Sequence, residues 1–154
     1  MHYYIDGYNL LFAVINSKET LEKKRETIIK LIQKYLIPMH VEATLVFDSN
    51  QEDIDFHDID TLRIVFTRKK LSADQYILDE LSLSANTNKE TVVTSDRELS
   101  RLAKNLKAHT LSISSFIEKI KKINHKRKKK IHDIETFADT ESNIQRLLKI
   151  FEKK

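Results

Sequence analysis

Apolar residues along the chain recur in two rhythms. Short runs rich in β-branched and aromatic residues, at 3–5, 43–47, 62–66 and 91–94, read as four strands. Between them, apolar positions return every three or four residues: Leu21, Ile28, Ile29, Ile32 and Leu36 in one segment, Ile77, Leu78 and Leu81 in a second, Leu99, Leu102, Ala103 and Leu106 in a third. That spacing predicts helices with one buried face. Residues 110–113 read as an added edge strand, followed by a helix with Phe116, Ile117, Ile120 and Ile123. A last amphipathic helix carries Ile144, Leu147, Leu148 and Phe151. Strands alternating with helices imply an α/β fold, with a mostly parallel central sheet of 4–5 strands covered on both faces.

Three helix starts have the spacing of a capping box, in which a serine oxygen accepts a first-turn N–H: Ser72 with Gln75, Ser95 with Glu98 and Ser115 with Glu118. Each serine is an expected N-cap. Asp74 and Asp96 then fall in the first turns of their helices.

Composition narrows the class. At 154 residues the chain is long enough for one domain with a buried core and an appendage. It has no cysteine, which excludes a disulfide scaffold, a thiol nucleophile and a cysteine zinc site. No stretch approaches the roughly 18 apolar residues of a membrane span, and the first residues lack the marks of an export signal, so a cytoplasmic protein is expected. The net charge of +4 hides an asymmetry: residues 1–118 hold 15 basic and 18 acidic residues, whereas residues 119–154 hold 12 and 5. A domain at 1–118 is therefore expected to carry a basic helical C-terminal extension at 119–154, suited to a polyanion. A solvated charge run is the plain alternative.

The acids change the picture most. Asp6 closes the first expected strand, Asp48 the second, Asp96 follows the fourth, and Asp74 opens the helix after the third. In an open α/β sheet these positions share one rim, outside the carboxyl ends of the strands, where such folds place their sites. Each has a structural explanation taken singly: Asp6 and Asp48 as turn formers, Asp74 and Asp96 as acids favoured at helix N-termini. Four carboxylates in one cleft repel, and cations relieve them. Oxygen-only ligation, without cysteine or a histidine motif, suits Mg2+ or Mn2+. One or two such ions are suited to phosphodiester hydrolysis.

Smaller features gather around the same rim. Gly7, the only glycine, is expected to turn the backbone without a Cβ crowding a metal or phosphate. Asn9 can orient Asp6, Tyr8 can stack on a base, Thr67 and Ser95 offer hydroxyls, and Arg97 can pair with a phosphate. Packing, capping and solvent exposure are the ordinary roles of the last four. Lys119, Lys121, Lys122, Lys126, Arg127, Lys128, Lys129 and Lys130 are expected to grip a phosphate backbone with little sequence choice. They lack interleaved aromatics, so the tail is not expected to stack on bases.

The strings YIDGYNLL, LVFDSN, VFTRKKLSADQYI and VVTSDREL stand in this order within residues 1–118. As an ordered set they resemble the YacP-like branch of the NYN domains, in the PIN-like nuclease superfamily. The resemblance implies a three-layer α/β/α PIN-like (NYN) fold and a metal-dependent endoribonuclease, and it permits action on ribosome-associated mRNA. It carries catalytic roles onto Asp6, Asn9, Asp48, Asp74 and Asp96. Asp6, Asp74 and Asp96 are the implied metal ligands, with Asp48 as ligand or outer partner. The chain departs from the pattern at Leu71, where an acid often precedes the Thr-Ala-Asp of the family.

Two rivals define the alternatives. A catalytically inactive PIN-like module would bind RNA or the ribosome without cutting. A phosphoacceptor signalling domain also clusters aspartates at strand ends, but it wants paired acids at the first strand and an acceptor aspartate at the third, where this chain has one acid and Thr67. With one glycine, neither a P-loop nor a dinucleotide-binding loop is available.

Overall fold

The structure, a computed structural model, describes residues 1–131. Six strands, β1 (His2–Asp6), β2 (Glu42–Gln51), β3 (Asp55–Ile59), β4 (Leu62–Arg68), β5 (Glu90–Val93) and β6 (His109–Leu111), form one sheet in the order β3-β4-β2-β1-β5-β6. All pairings are parallel except β3 against β4. The helices are α1 (Gly7–Val14), α2 (Leu21–Leu36), α3 (Ala73–Leu83), α4 (Arg97–Asn105) and α5 (Ile113–Ile131).

The period-two alternation of β1 sorts the layers. Tyr3 and Ile5 enter a core with Leu10, Leu11 and Val14 of α1, the buried face of α2, and Phe116, Ile117 and Ile120 of α5. Tyr4 enters the opposite core with Tyr76, Ile77 and Leu81 of α3 and Leu99 and Ala103 of α4. Burial on both faces is why the central strands read as nearly unbroken apolar runs. The chain turns at β1: β2 and β4 lie to one side of it, and after α3 the chain returns to place β5 on the other. That strand is the switch point, where open α/β sheets form their crevice.

The expected three-layer α/β/α architecture is present, with several corrections. The sheet has six strands rather than 4–5, because β3 pairs antiparallel along β4. Every residue of β3 is exposed, so its sequence, DFHDI, carries no continuous apolar signal. Its aspartates also blunt an open sheet edge. The edge strand expected at 110–113 is His109–Leu111, since Ile113 already opens α5. A short helix, α1, follows β1 directly where the sequence reading placed no helix before Leu21.

The boundary expected after residue 118 falls inside α5, whose Ile120 is in the core and whose Asn124 is buried. The helix carrying Ile144, Leu147, Leu148 and Phe151 lies outside the described residues. Among the described residues no helix is long and apolar enough to cross a membrane.

Candidate active site

The four aspartates meet at the carboxyl rim, each reached by a different element. Asp6 is the last residue of β1 and is 9% exposed. Asp48 is exposed and lies within β2 rather than at its end, where the register with β4 shifts between Phe47 and Gln51. The irregularity re-aims the strand beside the rim. Asp74 is in the first turn of α3, and Asp96 is the N-cap of α4.

Backbone amides at helix starts fix two of these side chains. Asp48 Oδ1 accepts the Ala73 N–H at 2.7 Å, so the second-strand acid also holds the start of α3. Asp96 Oδ1 accepts the N–H groups of Glu98 and Leu99 at 2.8 and 3.0 Å. Ser95 is therefore not the cap: its Oγ accepts the Ile113 N–H at 3.3 Å, tying the rim to the start of α5. Ser72 caps α3 as expected, accepting the Gln75 N–H at 3.1 Å. At α5 the serine expected as cap, Ser115, is instead a donor, its N–H bonded to Ser112 Oγ at 3.1 Å.

A residue missed in the sequence joins two of the acids. Thr94, 3% exposed, donates its hydroxyl to Asp6 Oδ2 at 3.2 Å and accepts the Asp96 N–H at 3.1 Å. Its signal lay in VVTSDREL, where Thr94 stands two residues before Asp96. Asn9 works across the same seam, its Oδ1 accepting the Ser95 N–H at 2.7 Å and locking the start of α1 to the loop before α4.

Burial pushes the Asp6 carboxyl up to about 6, helped by the charges of Asp74 and Asp48 and opposed by hydrogen bonding from Asn9 and Thr94. Asp74 is raised by burial and by the charges of Asp96 and Asp48. Among the described residues, no lysine or arginine figures among the charges that shift either group. The donor set is oxygen-only and short of positive charge, which fits a hard divalent cation. As the side chains stand, no three of His, Cys, Asp or Glu among the described residues are gathered closely enough to hold an ion.

The other expected site residues divide. Thr67 is fully buried, and its Oγ1 accepts the Ser49 N–H at 3.0 Å, so it supports the backbone beside Asp48 rather than facing a ligand. Ser95 and Arg97 line a groove of about 520 Å3 along α4, with Arg101 and Lys104. Arg97, Arg101 and Lys104 stand at i, i+4 and i+7, a basic helix face present in the sequence but overshadowed by the later lysine run. Tyr8 stacks with Phe12, and its hydroxyl accepts from Arg25 at 3.1 Å.

The lysines of α5 lead away from the rim. Ile113 is at the rim through Ser95, whereas Phe116 packs on Tyr3 and Lys119 donates to Tyr3 Oη at 2.6 Å, farther back along β1. Lys121 pairs with Glu118 at 3.6 Å, and Lys122 and Lys126 are exposed. Arg127, Lys128, Lys129 and Lys130 follow on the same helix.

Gly7 corrects its expected role. It is the first residue of α1 and has no positive φ. A Cβ there would lie 2.6 Å from two Phe47 ring carbons and 2.7 Å from the Val46 carbonyl oxygen. The missing side chain lets α1 approach β2, and no ligand is needed to explain it.

Comparison with solved structures gives crystal structures of Rae1 (YacP) from Bacillus subtilis. A tryptophan-to-leucine mutant of that protein aligns at 20% identity with a TM-score of 0.73, covering 97% of this chain and 91% of its own. The Rae1 structure without that mutation aligns at 20% identity and a TM-score of 0.68, covering 99% and 93%. At such identity the likeness shows a shared fold. No curated protein sequence matches the chain. The family model for the YacP-like NYN domain matches residues 3–153. Because that match spans all four rim aspartates, both layers of helices and the whole of α5, the chain belongs to the YacP-like NYN domain family, within the PIN-like nucleases.

Proposed function

We propose that this protein is a metal-dependent endoribonuclease that hydrolyses phosphodiester bonds of RNA, with ribosome-associated mRNA as a candidate substrate. The observation carrying the proposal is the convergence of Asp6, Asp48, Asp74 and Asp96 on one rim, where burial and the charges of Asp74 and Asp48 raise Asp6, burial and the charges of Asp96 and Asp48 raise Asp74, and no basic residue is among the charges that shift either. Membership of a nuclease superfamily supports the same reading.

Asp6, Asp74 and Asp96 would hold the ion, with Asp48 as a further ligand or an outer partner. When bound, Mg2+ or Mn2+ supplies positive charge to the phosphodiester oxygens and lowers the pKa of water. Thr94 holds the Asp6 carboxylate in place, and Asn9 keeps the loop bearing Asp96 against α1. Arg97 and Lys104 supply positive charge for the phosphates on one side of the rim, while Arg101 beside them is paired with Glu98 at 2.6 Å.

One comparison tests this: the purified full chain with free RNA and with translating ribosomes, with and without Mn2+, beside Asp96→Asn. Asparagine also caps helices well, so this variant keeps the start of α4 while removing a charge. The expected result is cleavage by wild type only with metal, reduced about 100-fold or more in the variant, the scale of losing one charge-stabilising group. Intact RNA under every condition would overturn the proposal. RNA binding without cleavage would establish the inactive binding module instead.

A further inference from the structure

We infer that a pocket at the amino ends of β1, β2 and β4, at the other end of the sheet from the acidic rim, binds a linear aliphatic polyamine through the hydroxyls of Tyr4 and Tyr76 and the carboxylate of Glu80. None of these residues belongs to the rim, so the inference stands apart from the RNA-cleaving reading.

The pocket follows from the register of the sheet. Tyr4 is paired with Thr44, and Thr44 with Arg63, so three side chains in a row across β1, β2 and β4 share the face covered by α3. From α3, Tyr76 and Glu80 stand one turn apart on the side that closes the pocket, whose volume is about 410 Å3. Tyr4 is 6% exposed and Tyr76 7%, yet both line this pocket. Among the described residues neither hydroxyl makes a hydrogen bond. Side chains this deeply placed ordinarily have a partner for every polar atom. His2 meets the Tyr4 ring edge-on at 4.3 Å, but its two ring nitrogens are already engaged by Glu90 and Thr44. Burial pushes the Tyr4 phenol far above its ordinary range and the Tyr76 phenol up to about 12, so both keep their protons at neutral pH and their oxygens accept as neutral groups.

Charge selects the ligand. Glu42, Asp60 and Glu80 line the pocket from β2, the turn between β3 and β4, and α3, and among the described residues none of them has an ion-pair partner. The one arginine in the lining, Arg63, is held by both oxygens of Asp58 at 2.7 and 3.1 Å. Glu80 also stands in the last turn of α3, which has no basic residue, although a helix end of that polarity favours a cation. An anion is therefore repelled and a cation attracted. Neutral phenols are not among the usual ligands of hard metal ions, whereas they accept well from an ammonium group. Ala43 and Leu62 in the same lining give methylene groups an apolar contact. Acids set apart around a partly apolar pocket match ammonium groups set apart along a hydrocarbon chain.

The test is calorimetric titration of the full chain with spermidine at low ionic strength, repeated with Mg2+ as competitor. Wild type is expected to bind spermidine, and Mg2+ at equal charge should displace it only in part. Glu80→Gln should weaken binding about 10-fold, as for one charge-assisted hydrogen bond, and Tyr76→Phe about 3- to 10-fold. Thermal melts of the two variants verify that each is folded, and spermidine should raise the melting temperature of wild type more than that of either. Asp96→Asn, at the rim, should bind spermidine as wild type does. Absence of spermidine binding by wild type would overturn the inference, as would equal binding by wild type and Tyr76→Phe. Complete displacement by Mg2+ would reduce the pocket to an acidic field, and loss of binding in Asp96→Asn would move the polyamine to the rim; either result overturns the assignment.

Discussion

The two ends of β1 treat acidic groups in opposite ways. At the amino end, His2 Nδ1 lies 2.6 Å from Glu90 Oε2, and the other ring nitrogen lies 2.7 Å from Thr44 Oγ1. Ser84 Oγ adds a hydrogen bond to the second Glu90 oxygen at 3.3 Å. That carboxylate has a basic partner and two satisfied oxygens. At the carboxyl end, Asp6 is as deeply placed, yet its neighbours are a threonine, backbone amides and further acids. Glu90 has a basic ring beside it, whereas the charges that shift Asp6 come from further acids.

Exchanging Asp6 for Asn should sharpen that contrast most. With its folded pKa at about 6, above the ordinary 3.8, the Asp6 carboxyl binds its proton more tightly in the folded chain than in the unfolded one. Its full contribution is present below about pH 4 and is lost as pH rises through 6, so at pH 7.5 the metal-free protein bears the whole penalty. Asp6→Asn should stabilise the metal-free chain by about 2–3 kcal/mol at pH 7.5, and the gain should vanish near pH 4. Denaturant melts at the two pH values check this, and a destabilised variant at pH 7.5 would contradict the account of the rim.

Gly7→Ala acts through packing instead. Crowding the Phe47 ring and the Val46 carbonyl should cost about 1–3 kcal/mol of stability, with cleavage falling only as the folded fraction falls. Thermal melts beside activity per folded molecule would separate the two effects. At the amino end, Glu90→Gln weakens a charge-assisted bond to His2 and should cost about 1–2 kcal/mol, leaving metal-dependent cleavage unchanged. A loss of cleavage there at full folding would erase the distinction between the two ends.

Much of the rim was legible because a parallel sheet converts strand order into position. Asp6 and Asp48 directly follow apolar runs, Asp96 follows one after Thr94 and Ser95, and Asp74 opens the helix after the third expected strand, so counting elements was enough to put them on one rim. The cap of α4 was harder. Ser95 and Asp96 are adjacent capping residues, Ser95 stands three before Glu98, and only the observed hydrogen bonds give the helix start to Asp96. Thr94 and Thr67 were obscured in another way, since a buried hydroxyl bonded to one neighbour has no spacing rule. The short helix α1 lay in the apolar run at 10–15, where short helix and buried strand look alike from the sequence.

One feature of α5 bears on substrate length. The helix starts at the rim beside Ser95 and runs back past Tyr3, so its last described residue is roughly 27 Å along the axis from its first. The lysine-rich end and the carboxylates therefore cannot be reached together by a fragment of only a few nucleotides. Under the proposed function, a long strand would span them, and one held at the far end would stay concentrated around the acids. For the ribonuclease proposed above, that separation would favour long strands over short fragments.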